Sequence, residues 1–147
     1  MEKDFKQKIE DLLRNTLVIG YTPLLHEIDY KDLLLHTNHL ELITLPNQKD
    51  SDPFYWASIY TEKYKDQKVT LLIPGKQFDT HGTRHGKGSG WYDRFLSKIP
   101  SNWVRIGVSD VTQFSTETLK RESWDEPMDW VVVKTNTSWQ LHKTNTQ

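Results

Sequence analysis

The chain of 147 residues contains no cysteine. That excludes a disulfide-stapled scaffold and any metal site built from thiolates. Long apolar runs are also missing. Hydrophobic stretches end after about five residues, against the ~20 that cross a bilayer as a helix, so no membrane partner is expected. Neither sign of charge dominates. The 19 basic and 20 acidic side chains leave a formal −1, which supplies no general attraction for nucleic acid or an anionic surface. Charged residues follow Met1 directly, without the apolar stretch of a secretory signal, and a cytoplasmic protein is the expectation. The histidines lack zinc-ligand spacing: His81 and His85 straddle Gly82 in a loop, with no third ligand in view.

What is present is a high aromatic content, with six Trp and six Tyr, and short apolar runs between polar stretches, as in a globular domain. Phe5, Ile9, Leu12 and Leu13 recur at helical spacing and predict an amphipathic helix over residues 4–15. Residues 17–21 read as a strand. Asp29 is placed to cap a short helix through Leu33, Leu34 and Leu35 to about His36. Residues 40–45 read as a strand, stopped by Pro46. Asp52-Pro53 is a helix start, since the Asp can accept from free N–H groups and the Pro sits where no donor is needed. Residues 69–73 are almost continuously apolar, as in a central strand covered on both faces. A glycine-rich loop then leads to a helix over 91–98 and a strand over 104–108. A short helix over 116–121 and a strand over 130–133 follow. Strands alternating with helices predict an α/β fold, a three-layer, open, mostly parallel, Rossmann-like sheet with helices on both faces. Residues 1–135 are read as one domain. Residues 136–147 are read as a polar tail with room for one more strand around 139–142.

The chemistry concentrates in residues 71–96. Gly86, Gly88 and Gly90 alternate after an apolar strand and before a helix, a spacing that lets successive N–H groups turn toward one anion. The first turn of the helix adds further free donors. Arg84 and Lys87 bring positive charge, with Arg94 behind them, and His81, His85 and Ser89 lie alongside. Such a site suits a triphosphate. It is neither a P-loop nor a dinucleotide fingerprint. On spacing alone, a surface turn explains the glycines about as well. The position after a central strand favours a binding site. Asp79 and Asp93 are the carboxylates that could hold magnesium against the phosphates, although Asp in a first helical turn also has a plain dipole explanation. Glu27, on composition, reads as a solvated loop residue. Phe95, Trp56, Trp103 and Trp130 read as packing residues, and Glu122, Asp125, Glu126 and Asp129 as a solvated acidic face.

The same segment resembles the signature of the 5-formyltetrahydrofolate cyclo-ligase family. The match runs through Pro74, Gly75, Phe78 and Asp79, then Arg84, Gly86, Gly88, Gly90, Tyr92, Asp93, Arg94 and Leu96. Tyr21, Pro23, Glu27 and Asp29 are similar to a second family segment, Leu45-Pro46 to a third, and Gly107, Gln113 and Asp125 through Asp129 to a fourth. The resemblance implies a doubly wound α/β fold. It also implies an enzyme that uses ATP and Mg2+ to turn 5-formyltetrahydrofolate into 5,10-methenyltetrahydrofolate, releasing ADP and phosphate. By resemblance, residues 84–90 hold the nucleotide, with Arg84, His85, Gly86, Lys87, Gly88, Ser89 and Gly90 all contributing. Asp93 holds the metal. Glu27, Phe78, Lys87 and Tyr92 meet the reduced folate, and Glu27, Arg84 and Asp93 are the catalytic set. A monomer or a homodimer would serve.

Departures from the pattern imply an alternative, a catalytically impaired member that binds nucleotide or folate in a regulatory or structural role. The basic helix that usually opens the family has no counterpart here, leaving Lys3, Lys6 and Lys8 as candidates to replace it. Residues 47–68 contain no Glu-Pro segment. Lys87 stands where an aromatic residue usually lies, and Trp124 where His commonly precedes Asp125.

Overall fold

The N-terminal helical spacing becomes α1, Glu2–Leu13, whose Phe5, Ile9 and Leu13 are buried while Asp4, Lys6, Lys8 and Asp11 are exposed. Four-residue steps keep those three side chains on one stripe. After a turn comes β1, Leu17–Gly20, buried throughout. Helix α2 is shorter than the leucine pattern suggests, Lys31–Leu34. Asp29 accepts the Lys31 N–H at 2.9 Å just ahead of it, and only Leu33 is buried. Strand β2 is Glu41–Thr44. In α3, Pro53–Lys63, the Asp52 carboxylate caps the Phe54 N–H at 2.9 Å, as Asp52-Pro53 predicts. This computed structural model describes residues 2–35, 37, 41–48 and 51–145. His36 and Leu40, expected at element ends, lie outside them.

The apolar run becomes β3, Val69–Ile73, with all five residues buried. It is followed in the main sheet by β6, Val104–Asp110, β8, Trp130–Lys134, and β9, Trp139–Lys143. The order is β2-β1-β3-β6-β8-β9. Every pairing is parallel except β8 with β9, so the strand anticipated around 139–142 forms the sheet's last, antiparallel edge. Successive side chains on a strand point to opposite faces, and the core divides accordingly. Leu72, Ile106 and Val132 pack with α1. Leu71, Ile73, Val131 and Val133 pack with α3 and with α4, Trp91–Leu96. The result is the three-layer, mostly parallel α/β sheet that the alternation of elements predicts. Among the described residues, no helix is long and apolar enough to cross a membrane.

A second, small sheet has no clear signal in the sequence. It joins β4, Gln77–Asp79, to β5, Arg84–His85, and β7, Phe114–Ser115, in the order β5-β4-β7. Strands of two or three residues carry too little alternation to be read. Asp79 holds this sheet together. Its carboxylate is 1 % exposed and accepts the N–H groups of His81 and Thr83 at 2.9 Å and of Leu119 at 2.8 Å. The helix expected over 116–121 is absent. That segment runs without helical bonds because its polar groups are committed elsewhere: Leu119 to Asp79, the Lys120 carbonyl to His85, and the Arg121 guanidinium to Thr83 and the His81 carbonyl. Replacing Asp79 by Ala strands three donors, one buried and two part-buried, each worth about 1 kcal/mol. Urea denaturation of Asp79→Ala should therefore show a loss of roughly 3 kcal/mol, and a variant as stable as the parent would remove Asp79 from this role.

Candidate active site at the switch point of the sheet

The parallel strand order reverses between β1 and β3, since β2 lies to one side and β6 and β8 to the other. Connections leaving the carboxyl ends of β1 and β3 diverge, and a crevice opens between them. A cavity of about 350 Å³ occupies it. Gly75 from the end of β3, Glu27 from the β1–α2 connection, the whole run from Arg84 to Asp93, and Lys120, Glu122, Trp124 and Asp125 line it. A second cavity of about 240 Å³ adjoins it, lined by Tyr21, Thr22, Leu24, Leu45 and Pro46. Glu27, Gln48 and Tyr92 border both.

The glycines of the loop answer two different demands. Gly88 and Gly90 sit at φ of 97° and 70°, left-handed backbone that other residues adopt at a cost. Gly86 instead makes room. A Cβ there would stand 3.0 and 3.1 Å from the two terminal nitrogens of Arg84, so any side chain would have to press on the guanidinium that the loop covers. Arg84 is 8 % exposed. Its Nε donates to the Pro74 carbonyl at 2.6 Å, and the guanidinium lies 4.9 Å from the centre of the Tyr92 ring, a cation–π contact. Burial lowers its pKa, and Tyr92, Asp93, Glu27 and Asp125 oppose that.

Tyr92 is 2 % exposed, and burial pushes its phenol far above the usual range. Glu27 is equally enclosed. Its side chain is 6 % exposed, 3.4 Å from the half-exposed Lys87, and accepts the Leu24 N–H at 3.0 Å. The loop carrying Glu27 is tied down from below. The Tyr21 hydroxyl donates to the Ile28 carbonyl and the Tyr30 hydroxyl to the Tyr21 carbonyl, both at 2.6 Å. Asp93 accepts the Glu126 N–H at 3.1 Å. Burial raises its carboxyl above the ordinary value, against that hydrogen bond and Arg84. The His85 Nε2 donates to the Lys120 carbonyl at 2.6 Å, which fixes its proton on that nitrogen.

Of the residues expected in the site, Glu27, Arg84, His85, Gly86, Lys87, Gly88, Ser89, Gly90, Tyr92 and Asp93 all line the main cavity. Phe78 does not. It is fully buried, with its ring against Gly75 and Gly107, where any Cβ would collide with it. It is the floor beneath the site rather than a surface for substrate. Asp79 is buried, accepts three N–H groups and does not line the cavity. Arg94 braces the loop by donating to the Ser89 carbonyl at 3.0 Å. Lys6 lines a separate cavity with Asp32 and Lys134, while Lys8 is exposed and lines neither part of the site. The side chain of Lys3 lies outside the described residues. Helix α4 has only six residues, and the Trp91 N–H already faces the Ser89 hydroxyl at 3.4 Å, so the positive character of this wall comes from the loop and its cations more than from a helix dipole.

The acidic stretch is only in part a solvated face: Asp129 is exposed, while Asp125 and Glu126 are half-buried. Glu126 pairs with Arg105 at 3.1 Å, Asp129 accepts the Arg105 N–H at 2.9 Å, and Asp125 accepts the Glu122 N–H at 2.8 Å while lining the cavity. Gln48, Lys120, Trp124 and Asp125 thus join the wall without having been picked out as site residues. The charge pattern of 122–129 could not distinguish paired from solvated carboxylates. Among the described residues, no three His, Asp or Glu side chains converge as a ready-made metal cage.

With this geometry in hand, comparison with known proteins is informative. No curated protein sequence matches. The solved structure of a 5,10-methenyltetrahydrofolate synthetase from Mycoplasma pneumoniae is similar, with a TM-score of 0.58 at 18 % identity, over 89 % of this chain and 83 % of that one. At that identity the likeness establishes the fold. Residues 6–134 match the 5-formyltetrahydrofolate cyclo-ligase family, and the chain belongs to that family.

Proposed function

We propose that this protein uses ATP and magnesium to convert 5-formyltetrahydrofolate to 5,10-methenyltetrahydrofolate, with release of ADP and phosphate. The observation that carries this reading is the shared wall of Glu27, Gln48 and Tyr92 between the two cavities. A reaction that joins two substrates needs two compartments that meet at the reacting atoms. In this reading the nucleotide's phosphates lie on the glycine loop over Arg84, within reach of Lys87. The folate's ring system enters beside Tyr21, Leu45 and Pro46, and its formyl group points at the wall. The formyl oxygen attacks the γ-phosphorus as the bond to ADP breaks. N10 then adds to the formyl carbon, gives up its proton, and the carbon–oxygen bond breaks to release phosphate. Positioning and charge neutralisation account for most of the catalysis.

Asp93 and Asp125 fit a magnesium ion. Mg2+ takes one or two carboxylates and completes its shell with phosphate and water, so a full protein cage is not required. One Asp93 oxygen is held by the Glu126 N–H, and the half-buried carboxylate carries an electrostatic cost that a cation would relieve. When bound, the ion neutralises charge developing on the phosphates. A second reading, binding without turnover, draws on the Lys87–Glu27 ion pair, which occupies the carboxylate that the first reading turns toward the folate.

Purified protein mixed with ATP, magnesium and 5-formyltetrahydrofolate should develop the methenyl product's absorbance. Folate binding without product supports the second reading, and the absence of both contradicts each. Arg84→Ala should weaken ATP binding by about 1.5–3 kcal/mol, the value of a charge-assisted contact, in calorimetry below the variant's melting temperature. Unchanged affinity takes Arg84 out of the phosphate site. Asp93→Asn keeps the acceptor for Glu126 but removes a costly charge, so it should melt higher than the parent in metal-free buffer while losing activity. A lower melting temperature would make Asp93 structural.

A further inference from the structure

Trp124 is the anomaly on this surface. Of the six tryptophans, Trp91, Trp103 and Trp139 are buried and Trp56 and Trp130 are half-buried, but Trp124 is 63 % exposed. An indole held in water forfeits a large burial gain. The backbone that carries it is nevertheless held in place. The turn that carries it is closed at both ends, the Asp125 N–H donating to the Glu122 carbonyl at 3.1 Å and the Glu122 N–H to the Asp125 carboxylate at 2.8 Å. Arg121, just before, is anchored to Thr83 and the His81 carbonyl. Glu126, just after, is anchored to Asp93 and Arg105. The exposed ring lines the same cavity as the glycine loop.

We infer that Trp124 is the platform on which the base of the nucleoside triphosphate stacks. This rests on the reading of the glycine loop as the phosphate seat. An exposed aromatic on a braced turn, lining the same cavity as the glycine loop, offers what the flat base needs and the loop does not supply, a π-face. Stacking of this kind tolerates any base and adds affinity independently of the phosphates.

Calorimetry with magnesium, comparing ATP with inorganic tripolyphosphate on the parent, Trp124→Phe and Trp124→Ala, separates the two contributions. Trp124→Ala should lose about tenfold or more in ATP affinity, with tripolyphosphate affinity and melting temperature unchanged. Trp124→Phe should retain most of the ATP affinity. In the parent, ATP but not tripolyphosphate should shield tryptophan emission from acrylamide. The inference is overturned if Trp124→Ala binds ATP as the parent does, if it loses tripolyphosphate equally, or if it loses folate instead. A parent that binds tripolyphosphate as tightly as ATP overturns the base platform alone. One that binds neither overturns the phosphate seat as well.

Discussion

A buried arginine sets the terms for this site. Moving the Arg84 guanidinium out of water is expensive, and the cost is met only if its donors and its charge both find partners. The Pro74 carbonyl takes Nε, the Tyr92 ring covers one face, and Asp93, Glu27 and Asp125 supply negative potential from three separate segments. Each of those partners must be brought to one point, and the surrounding fold shows how. The end of β3 delivers Pro74, α4 delivers Tyr92 and Asp93, and the β1–α2 connection delivers Glu27. Gly86 then closes over the cation because it has no side chain to intrude.

Such an arrangement leaves a positive charge just beneath the glycine loop, in a region of low local dielectric where its field is strengthened, which is what the proposed phosphate seat requires. It also explains why carboxylates surround a cavity assigned to phosphates. Asp93 and Asp125 offset Arg84 within the protein and would offset a divalent cation when nucleotide is present. The Glu27 side chain is nearly enclosed beside the half-exposed Lys87, and with Gln48 and Tyr92 it borders both cavities.

The central strands of the main sheet were legible because they are buried on both faces and read as apolar runs, as Val69–Ile73 does, whereas the edge strand Glu41–Thr44 is largely exposed. The cap at Asp52 and the stripe of α1 were legible for equally local reasons. What escaped was non-local. The small sheet β5-β4-β7 depends on one carboxylate, Asp79, reaching three N–H groups, one of them forty residues away. No periodicity encodes that, and the helix expected over 116–121 fails for the same reason, its backbone being claimed by Asp79 and His85. In the site, spacing alone left the glycine loop open between a surface turn and a binding loop, and its place after a central strand and the family resemblance tipped the reading toward a binding loop. Phe78 and Asp79 belong to the same motif yet serve the floor and the frame, because motif conservation of type does not separate touching a ligand from supporting what touches it. Asp125 and Trp124 were hidden inside a charged stretch whose pairing only the fold reveals.

The central claim is that the nucleotide's γ-phosphate and the folate's formyl group meet at the wall formed by Glu27, Gln48 and Tyr92. Its most direct test follows the formyl oxygen. Substrate carrying a heavy-oxygen label in the formyl group, turned over with ATP and magnesium, should place that label in the released inorganic phosphate, read as an isotope shift in phosphorus NMR. Methenyl product formed with unlabelled phosphate would contradict the account, because the two groups would then not have reacted with one another.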